Sequence, residues 1–241
     1  MSQPTDPGTI KALTFDVFGT VVDWRNGIAE DGRAFGAGHG IEADWVAFAD
    51  AWRARYQPAM AEVREGRRPW TILDVLHREN LDAVLAAMNI DGIDEAARDD
   101  LNRAWHRLPP WPDVVAGLTR MKRRFILGTL SNGNVALMVN LAKNSGLPWD
   151  VILGAEVAGH YKPDPESYRA TARLLGLPPE ACVLVAAHNS DLLAASREGF
   201  RTAFVKRPTE HGPAQTTDLA PNHDFDFVAE DFLDLAKQLG C

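Results

Sequence analysis

The stretch Lys11-Ala-Leu-Thr-Phe-Asp-Val-Phe-Gly-Thr-Val-Val-Asp23 decides how the rest of this chain is interpreted. Residues 12–15 form an apolar run with the Thr and Phe content of a buried strand, and Gly19 permits a tight turn just beyond it. Asp16 is therefore predicted at the carboxyl end of a strand, the edge at which open α/β sheets bind ligands. An aspartate there can also simply cap the following turn, so other parts of the chain must decide between the two interpretations.

Length and composition bound the class of protein. The 241 residues suffice for one α/β domain with a large insertion or for two small domains. The net charge of −8 disfavours nucleic acid and acidic membrane surfaces as partners, although one or two basic side chains suffice for an anionic substrate. The two cysteines, Cys182 and Cys241, predict no disulfide framework and a cytoplasmic location. Neither a signal peptide nor a membrane span is expected.

Two parts of the chain differ in their periodicity. Residues 1–10 are expected to form a loose arm. Residues 24–108 repeat apolar side chains three and four apart and contain no plausible strand, which predicts an all-α cap domain inserted after the first strand. Asp44 and Asp94 are expected as helix N-caps, and Pro69 in a first turn. The helices predicted in this part are Arg25–Phe35, Asp44–Glu65, Pro69–Met88 and Ile93–Arg107.

The cluster Pro109-Pro110-Trp111-Pro112 ends the helical part, since stacked prolines cannot continue a helix. Beyond it helices alternate with strands, including one strand predicted over Val151–Gly154. This alternation predicts an α/β fold, a Rossmann-like parallel sheet with helices on both faces, formed by residues 11–23 and 109–241. Residues 206–222 make the one long connection, and we expect an ordinary surface loop there.

Polar side chains follow several of these predicted strands and should meet Asp16 at the same edge of the sheet. Ser131 and Asn132 follow one strand, although Ser131 alone is also a common helix N-cap. Lys162 is followed by a proline that keeps it out of a helix, which favours a positioned lysine over a random surface one. Asp191 follows the strand that starts at Cys182.

These motifs resemble those of the haloacid dehalogenase superfamily, in order and in spacing. Phe15-Asp-Val-Phe-Gly-Thr-Val-Val-Asp23 is similar to its first motif, in which the first Asp of Asp-x-x-x-Thr is the nucleophile. Magnesium-dependent phosphatases of the superfamily carry a second Asp where this chain has Phe18. Because a Phe can neither donate a proton nor approach a hydrated metal, the chain resembles the type II L-2-haloacid dehalogenase branch, which is metal-free.

The resemblance implies a role for each matching residue. It makes Asp16 the nucleophile, and it places Lys162 beside it to neutralise negative charge and to pair with Asp191. Trp52-Arg53 is similar to the pair whose guanidinium receives the departing halide, a task that suits the weakly hydrated Arg. The substrate-binding residues implied are Ser131 and Asn132 for the carboxylate, Val17, Phe18 and Trp70 for the apolar wall, Tyr168 within the hydrogen-bond network, and Asn189 beside it.

The fourth motif departs from the dehalogenase pattern. The chain has Ala186-Ala187-His188-Asn189-Ser190-Asp191, so His188 stands where the branch has Asn. Since an imidazole titrates near neutral pH, we hypothesise that His188 is the general base for ester hydrolysis. A spacer that fills the place of the Asn is the alternative. We expect a carboxylate to orient the ring, with Glu30 as first choice and Asp23 as second.

The sequence therefore predicts hydrolytic dehalogenation of short 2-haloalkanoic acids through an Asp16 ester, with inversion at Cα and without metal or other cofactor. The partners expected are the small-molecule 2-haloacid and the halide; a homodimer is common in this family. The alternatives left open are a magnesium-dependent phosphatase, cleavage of phosphonates or other carbon–heteroatom bonds, and a binding protein on a decayed hydrolase scaffold. The preferred halogen, including fluoride, stays open.

Overall fold

One parallel sheet forms the centre of the structure, a computed structural model that describes residues 7–241. The strands are β1 (Ala12–Phe15), β2 (Ile126–Thr129), β3 (Cys182–Ala186), β4 (Arg201–Val205) and β5 (Phe227–Ala229), in the order β2-β1-β3-β4-β5. Because β1 pairs with β2 on one side and β3 on the other, the strand order reverses there, and a crevice opens at its carboxyl end. Of the arm expected over residues 1–10, residues 1–6 lie outside the described residues.

The helices that follow the cap complete the α/β fold, which confirms the predicted class. They are α6 (Val114–Met121), α7 (Val135–Ser145), α8 (Ala155–Ala158), α9 (Pro165–Leu175), α10 (Asn189–Arg197) and α11 (Phe232–Gln238). The strand predicted over Val151–Gly154 is wrong, because these residues form only isolated bridges to Gly128 and Ser131. Their contact with the outermost strand is too short to extend the sheet.

The segment between β1 and α6 is helical, as expected. Its elements are α1 (Trp24–His39), α2 (Trp45–Ala54), α3 (Tyr56–Arg64), α4 (Leu73–Ala87), α5 (Glu95–Asn102) and a 3-10 turn at Arg103–His106. Asp44 and Asp94 accept hydrogen bonds from backbone amides at the starts of α2 and α5, so both predicted N-caps are confirmed. The division into a cap of residues 24–108 and a core remains a prediction.

Two helix boundaries in this segment differ from the prediction. The helix expected over Asp44–Glu65 is divided near Arg55, because Pro58 lacks an N–H and its ring cannot follow the carbonyl of Ala54 in a continuous helix. Pro69 does not start a helix, since α4 begins at Leu73. The short α3 that results carries Tyr56 and Arg64 at its two ends, and both line the cavity described below.

An aromatic cluster joins the helical segment to the carboxyl end of β1. Phe18 packs edge-on against Trp105 and Tyr56, with ring centroids 5.5 and 6.3 Å apart, and Trp52 lies against Trp105 at 5.5 Å. Each buried aromatic side chain removes about 150–250 Å² from water, so this contact stabilises the cover over the sheet edge. Across residues 7–241, no helix has the length and apolar character needed to cross a membrane.

Candidate active site

Asp16 begins the site because β1 ends directly before it. Its backbone N–H donates to the carbonyl of Val185 at 3.0 Å, which fixes the loop against β3. Its side chain is 11% exposed and lies on the wall of a cavity of about 600 Å³ between the sheet edge and the helical segment. The sequence expectation of a carboxylate at this edge is therefore confirmed in position.

Three donors hold the Asp16 carboxylate. Lys162 Nζ donates to Oδ1 at 2.9 Å, and Thr20 Oγ1 donates to Oδ2 at 2.8 Å. His188 Nδ1 lies 3.1 Å from the same Oδ2. Burial alone raises the pKa of Asp16, but the Lys162 and His188 charges and hydrogen bonds outweigh it and bring that pKa well below 3.8. Asp16 is thus an ionised carboxylate at neutral pH, as a nucleophile must be.

Lys162 joins Asp16 to a second carboxylate. Its ammonium also contacts Asp191 Oδ2, and the hydroxyl of Tyr168 donates to Asp191 Oδ1 at 2.6 Å. Burial lowers the pKa of Lys162, but the two carboxylates more than reverse this and raise it above its usual value. One ammonium between two carboxylates stays charged, and the pairing of Lys162 with Asp191 is the one expected from the sequence.

His188 lies between Asp16 and Glu210. Its Nε2 is 2.8 Å from Glu210 Oε2, while Nδ1 faces Asp16. Burial lowers the pKa of His188, but the Glu210 charge and the hydrogen bonds to both carboxylates raise it well above 6.5. Since both ring nitrogens face carboxylate oxygens, this geometry favours the imidazolium, which donates from both. The predicted pairing of His188 with Glu30 is wrong: Glu30 is exposed on α1, and Asp23 instead caps that helix through Asn26.

The connection over residues 206–222 brings Glu210 to this place, so its interpretation as an ordinary surface loop is wrong. Arg207 Nε donates to the carbonyl of Thr20 at 2.8 Å, and both of its Nη atoms donate to Asp113, each at 2.9 Å. Gly19, at a φ of +87°, leaves room for the Glu210 carboxylate, since a Cβ there would lie 2.0 Å from Oε1. Trp24 Nε1 donates to the same oxygen at 3.0 Å.

Arg53 enters the cavity from α2 among aromatic rings. Its guanidinium lies 4.1 Å from the centroid of Tyr56 and 5.2 Å from that of Trp24. Its Nη1 is buried without a hydrogen-bond partner. A buried donor of this kind favours an anion or a water molecule as its hydrogen-bond partner. Phe18 also lines the cavity, in agreement with the expected apolar wall.

Several residues predicted to bind substrate do not line the cavity. Trp70 is 37% exposed and packs on Tyr161, with ring centroids 4.8 Å apart, because α4 starts later than expected. Ser131 is fully buried, and its Oγ accepts from the N–H of Gly133, the turn role left open from the sequence. Val17 is buried in the core.

Asn189 hydrogen-bonds to the loop over residues 206–222. Its Nδ2 donates to Asp218 at 2.7 Å, and its Oδ1 accepts from the N–H of Asn222 at 2.8 Å. Asn132 does line the cavity, and its Oδ1 accepts from the N–H of Lys162 at 2.8 Å. Ser131, Val17, Trp70 and Asn189 therefore lie outside the cavity lining and Asn132 within it, and the substrate contacts of all five stay predictions.

The residues do not fit a magnesium ion. Both oxygens of Asp16 accept from Lys162, Thr20 or His188, and both of Asp191 accept from Lys162 or Tyr168. An ion between the two carboxylates would compete with the Lys162 ammonium for the same oxygens. Within residues 7–241, no three His, Cys, Asp or Glu side chains converge to form a metal site.

Sequence reasoning did not assign four residues of this site. Arg64 and His211 line the cavity, while Thr20 and Glu210 contact Asp16 and His188. Thr20 had a signal, since the Asp-x-x-x-Thr pattern places it one turn after Asp16. Glu210, His211 and Arg64 had none, because they come from a loop without a recognisable pattern and from the far end of a cap helix. Only folding brings these side chains to the site.

The comparisons with known proteins agree with this geometry. A family model described as haloacid dehalogenase-like hydrolase matches residues 10–199. The (S)-2-haloacid dehalogenase of Xanthobacter autotrophicus is 28% identical over 86% of this chain and 79% of that protein. The crystal structure of a defluorinating L-2-haloacid dehalogenase is 52% identical, with a TM-score of 0.95 over 99% of this chain and 100% of that one.

A second solved structure, that of an L-2-haloacid dehalogenase, is 48% identical, with a TM-score of 0.93 over 96% of this chain and 99% of that one. Similarity at this level extends over both the sheet and the helical segment. The chain therefore belongs to the haloacid dehalogenase-like hydrolases, and within them to the L-2-haloacid dehalogenase branch.

Proposed function

We propose that this protein is a hydrolase of carbon–halide bonds, which converts short L-2-haloacids and haloacetates into 2-hydroxy acids. One observation carries the proposal: the Asp16 carboxylate, oriented by Lys162, Thr20 and His188, faces the same cavity as the unpaired donor of Arg53. A nucleophile and an anion receptor on one small cavity are what displacement of a halide requires. The names of the similar proteins point to the same substrate class.

The first step needs no general acid. Asp16 attacks Cα of the substrate, the carbon–halogen bond breaks, and its electron pair leaves with the halide toward Arg53. The product is an alkyl ester of Asp16. Attack from the side opposite the halide inverts Cα, and since the second step does not touch this carbon, an L-substrate gives a D-product. Neutralisation of Asp16 by Lys162 lets a substrate carboxylate approach without strong repulsion.

In the second step, water attacks the carboxyl carbon of the ester and gives up a proton to a base. The bond from that carbon to the substrate oxygen then breaks, the 2-hydroxy acid leaves with that proton on its oxygen, and the Asp16 carboxylate is restored. We propose His188 as the general base and Glu210 as the residue that positions it. The free protein holds His188 as an imidazolium, which cannot accept a proton. Ester formation removes the negative charge of Asp16, one of the two charges that raise the pKa of His188. The His188 pKa then falls, the ring releases its proton to solvent, and it becomes able to accept one from water.

The test combines specificity with product analysis. Chelator-treated protein is incubated with chloroacetate, with each enantiomer of 2-chloropropionate and with a general phosphate ester, and free halide and phosphate are measured. We expect halide from chloroacetate and the L-enantiomer, and D-lactate from the latter. Phosphate release that requires magnesium, without halide from any haloacid, would refute the proposal. Fluoroacetate belongs in the same assay because one similar structure is that of a defluorinating enzyme.

A single turnover in H₂¹⁸O tests the ester directly. Water that attacks the ester carbon leaves its oxygen in Asp16, so the first molecule of hydroxy acid carries an unlabelled oxygen from the protein. Mass spectrometry of the peptide containing Asp16 should show the label. Label in the hydroxy acid after one turnover, with none in Asp16, would mean that water attacks Cα directly.

We also propose a homodimer and a cytoplasmic location. The first follows from the frequency of dimers in the family. The second is consistent with two free cysteines, of which Cys182 is buried in β3. Size-exclusion chromatography with light scattering at two concentrations tests the dimer, and fractionation of the source cells tests the location.

A further inference from the structure

Five basic side chains line the cavity, and three of them are already engaged. Lys162 lies between two carboxylates, as does His188, and His211 faces Glu210 at 3.7 Å. The remaining two are Arg53 and Arg64. Within the described part of the chain, neither has a carboxylate within ion-pair distance.

A 2-haloacid also presents two anionic positions to the protein. One is its carboxylate, and the other is the halide that forms as the carbon–halogen bond breaks. One small cavity must therefore stabilise two negative charges, besides that of Asp16. Two guanidinium groups without a partner carboxylate match this requirement in number and in charge.

The surroundings of the two arginines differ in a way that assigns one anion to each. Arg53 lies against the faces of Tyr56 and Trp24, with a buried unpaired donor. An apolar aromatic environment favours a weakly hydrated halide. Arg64 is half-buried at the end of α3, where a hydrated carboxylate can approach and where its planar group can bind two oxygens at once.

Arg64 is also linked to the nucleophile. Its Nη1 donates to the backbone carbonyl of Lys162 at 3.1 Å, and the ammonium of the same lysine is 2.9 Å from Asp16 Oδ1. One lysine residue and two hydrogen bonds therefore connect Arg64 to Asp16, and both side chains line the same cavity. Asn132, which accepts from the N–H of Lys162, lies on this side of the cavity as well. Burial raises the pKa of the nearby Asp164 carboxyl, and the Arg64 charge offsets part of that rise.

Ser131, the residue expected from the sequence to bind the carboxylate, does not line the cavity. The Ser131 hydroxyl accepts from the N–H of Gly133 within its own turn and has no exposed surface. We propose that Arg64, with Asn132 beside it, is the receptor for the substrate carboxylate, so that Arg64 and Arg53 divide the recognition of the two anions. This inference rests on the proposed function, since only a 2-haloacid brings both anions.

The test measures binding of each anion separately and without turnover. Propionate, an unreactive carboxylate, is titrated by proton NMR, and bromide by broadening of its ⁸¹Br line. Arg64→Gln should weaken propionate binding about tenfold to a hundredfold, the loss expected for a hydrogen-bonded charge, and leave bromide within about twofold. Arg53→Gln should show the reverse. Arg64→Lys, which keeps the charge but not the planar group, should fall between wild type and Arg64→Gln.

Arg67→Gln is the matched control. Arg67 is exposed, pairs with Glu62 and lies three residues after Arg64, so both affinities should stay within about twofold. Circular dichroism checks that each variant is folded. Unchanged propionate binding in Arg64→Gln and Arg64→Lys would overturn the inference, as would a wild type that binds no propionate. Equal weakening of propionate and bromide binding would also overturn it, since Arg64 would then only hold the backbone of Lys162 in place.

These outcomes separate the inference from the proposed function. Propionate binding that depends on Arg64, in a protein that releases no halide from any haloacid, would refute the function. Halide release with propionate binding that does not depend on Arg64 would refute the inference alone. A KM for chloroacetate that rises in Arg64→Gln with little change in kcat would support both.

Discussion

The two sides of the cavity differ in how their charges are satisfied. On the side of the sheet, Asp16, Lys162, Asp191, His188 and Glu210 form one continuous array in which each charged group contacts an opposite charge. On the side of the helical segment, Arg53 and Arg64 have no partner carboxylate within the described chain, and one donor of Arg53 is buried and unpaired.

This difference indicates separate roles for the two sides of the cavity. A complete array keeps Asp16, the proposed nucleophile, ionised and oriented before any substrate arrives, which is the preorganisation that catalysis needs. Unpaired cations on the opposite side gain most when anions enter, so we propose that they bind the substrate anion and stabilise the leaving halide. We expect substitutions on the sheet side to impair chemistry, and substitutions on the helical side to impair anion binding or the departure of the halide.

The largest effect is expected from Asp16→Asn, because a neutral amide has no carboxylate with which to attack Cα. Halide release from chloroacetate should fall by about four orders of magnitude or more, as for loss of a nucleophile elsewhere. Asp50→Asn is the control, since Asp50 is an exposed carboxylate paired with Arg25 on the helical segment. Near-normal halide release by Asp16→Asn would place the nucleophile elsewhere.

Substitution of His188, the proposed base, should separate the two chemical steps. His188→Asn keeps a side chain that can hydrogen-bond but cannot take a proton, so steady turnover should fall about 10²- to 10⁴-fold. One halide per protein should still appear in a burst, and intact-mass measurement should show the Asp16 ester. His223→Asn, on an exposed histidine beside Asn222, serves as control. Steady turnover with an unshifted pH profile would make His188 a spacer; loss of the burst would place it in substrate binding.

Glu210→Gln should alter the pH profile as well as the rate. Glu210 raises the pKa of His188, so its neutralisation lowers that pKa and moves the acid limb of kcat to lower pH. A weaker, less firmly oriented base should also slow turnover about tenfold to a hundredfold, a range typical of supporting residues. Glu30→Gln, which changes an exposed carboxylate on α1, should leave both unchanged. An acid limb that stays in place would disprove the coupling of Glu210 to His188.

On the helical side, Arg53→Gln should show an effect that depends on the leaving group. Chloroacetate turnover should fall about tenfold through loss of a charged donor to the developing halide. The fall should be smaller for bromoacetate, because bromide leaves more readily and needs less stabilisation. The ratio of kcat for the two substrates, in wild type and variant, measures this. An equal fall for both would mean that Arg53 binds the ground state instead of the departing halide.

The smallest effect is expected from Trp70→Ala. Trp70 packs on Tyr161 and does not line the cavity, so KM for chloroacetate should stay within about twofold, as for surface changes in general. Phe18→Ala, which removes a residue of the cavity wall, is the positive control and should raise KM. A comparable rise of KM in Trp70→Ala would show that Trp70 contacts the substrate.

The predictable half of the site comes from residues next to strand ends. Asp16, Asn132, His188 and Asp191 follow strands or bridges of a parallel sheet, and the carboxyl ends of such strands meet at one edge. The alternation of helix and strand along the chain therefore suffices to place these side chains together. Lys162 could be placed with them through the proline that follows it, and the pairing with Asp191 is as expected.

The unpredicted half depends on geometry with no local signature. Pro58 divides one expected helix, and α4 begins several residues after Pro69, so the cap helices present different residues from those expected. Trp70 consequently lies outside the cavity and Arg64 within it. A helix that begins or ends a few residues from its expected boundary presents different side chains to the cavity. For this reason periodicity alone could not show which cap residues line it.

The sequence by itself determined the α/β class, the family, the position of Asp16 at a strand end and the presence of His188 where an Asn is usual, because each of these depends on neighbouring residues and short spacings. Only the tertiary structure decided which carboxylate supports His188. Glu30 is near in sequence but exposed, whereas Glu210 is brought from a distant loop through the bonds of Arg207 and the space left at Gly19. A buried charge needs a partner within hydrogen-bond distance, and over so long a chain separation only the packed fold sets that distance.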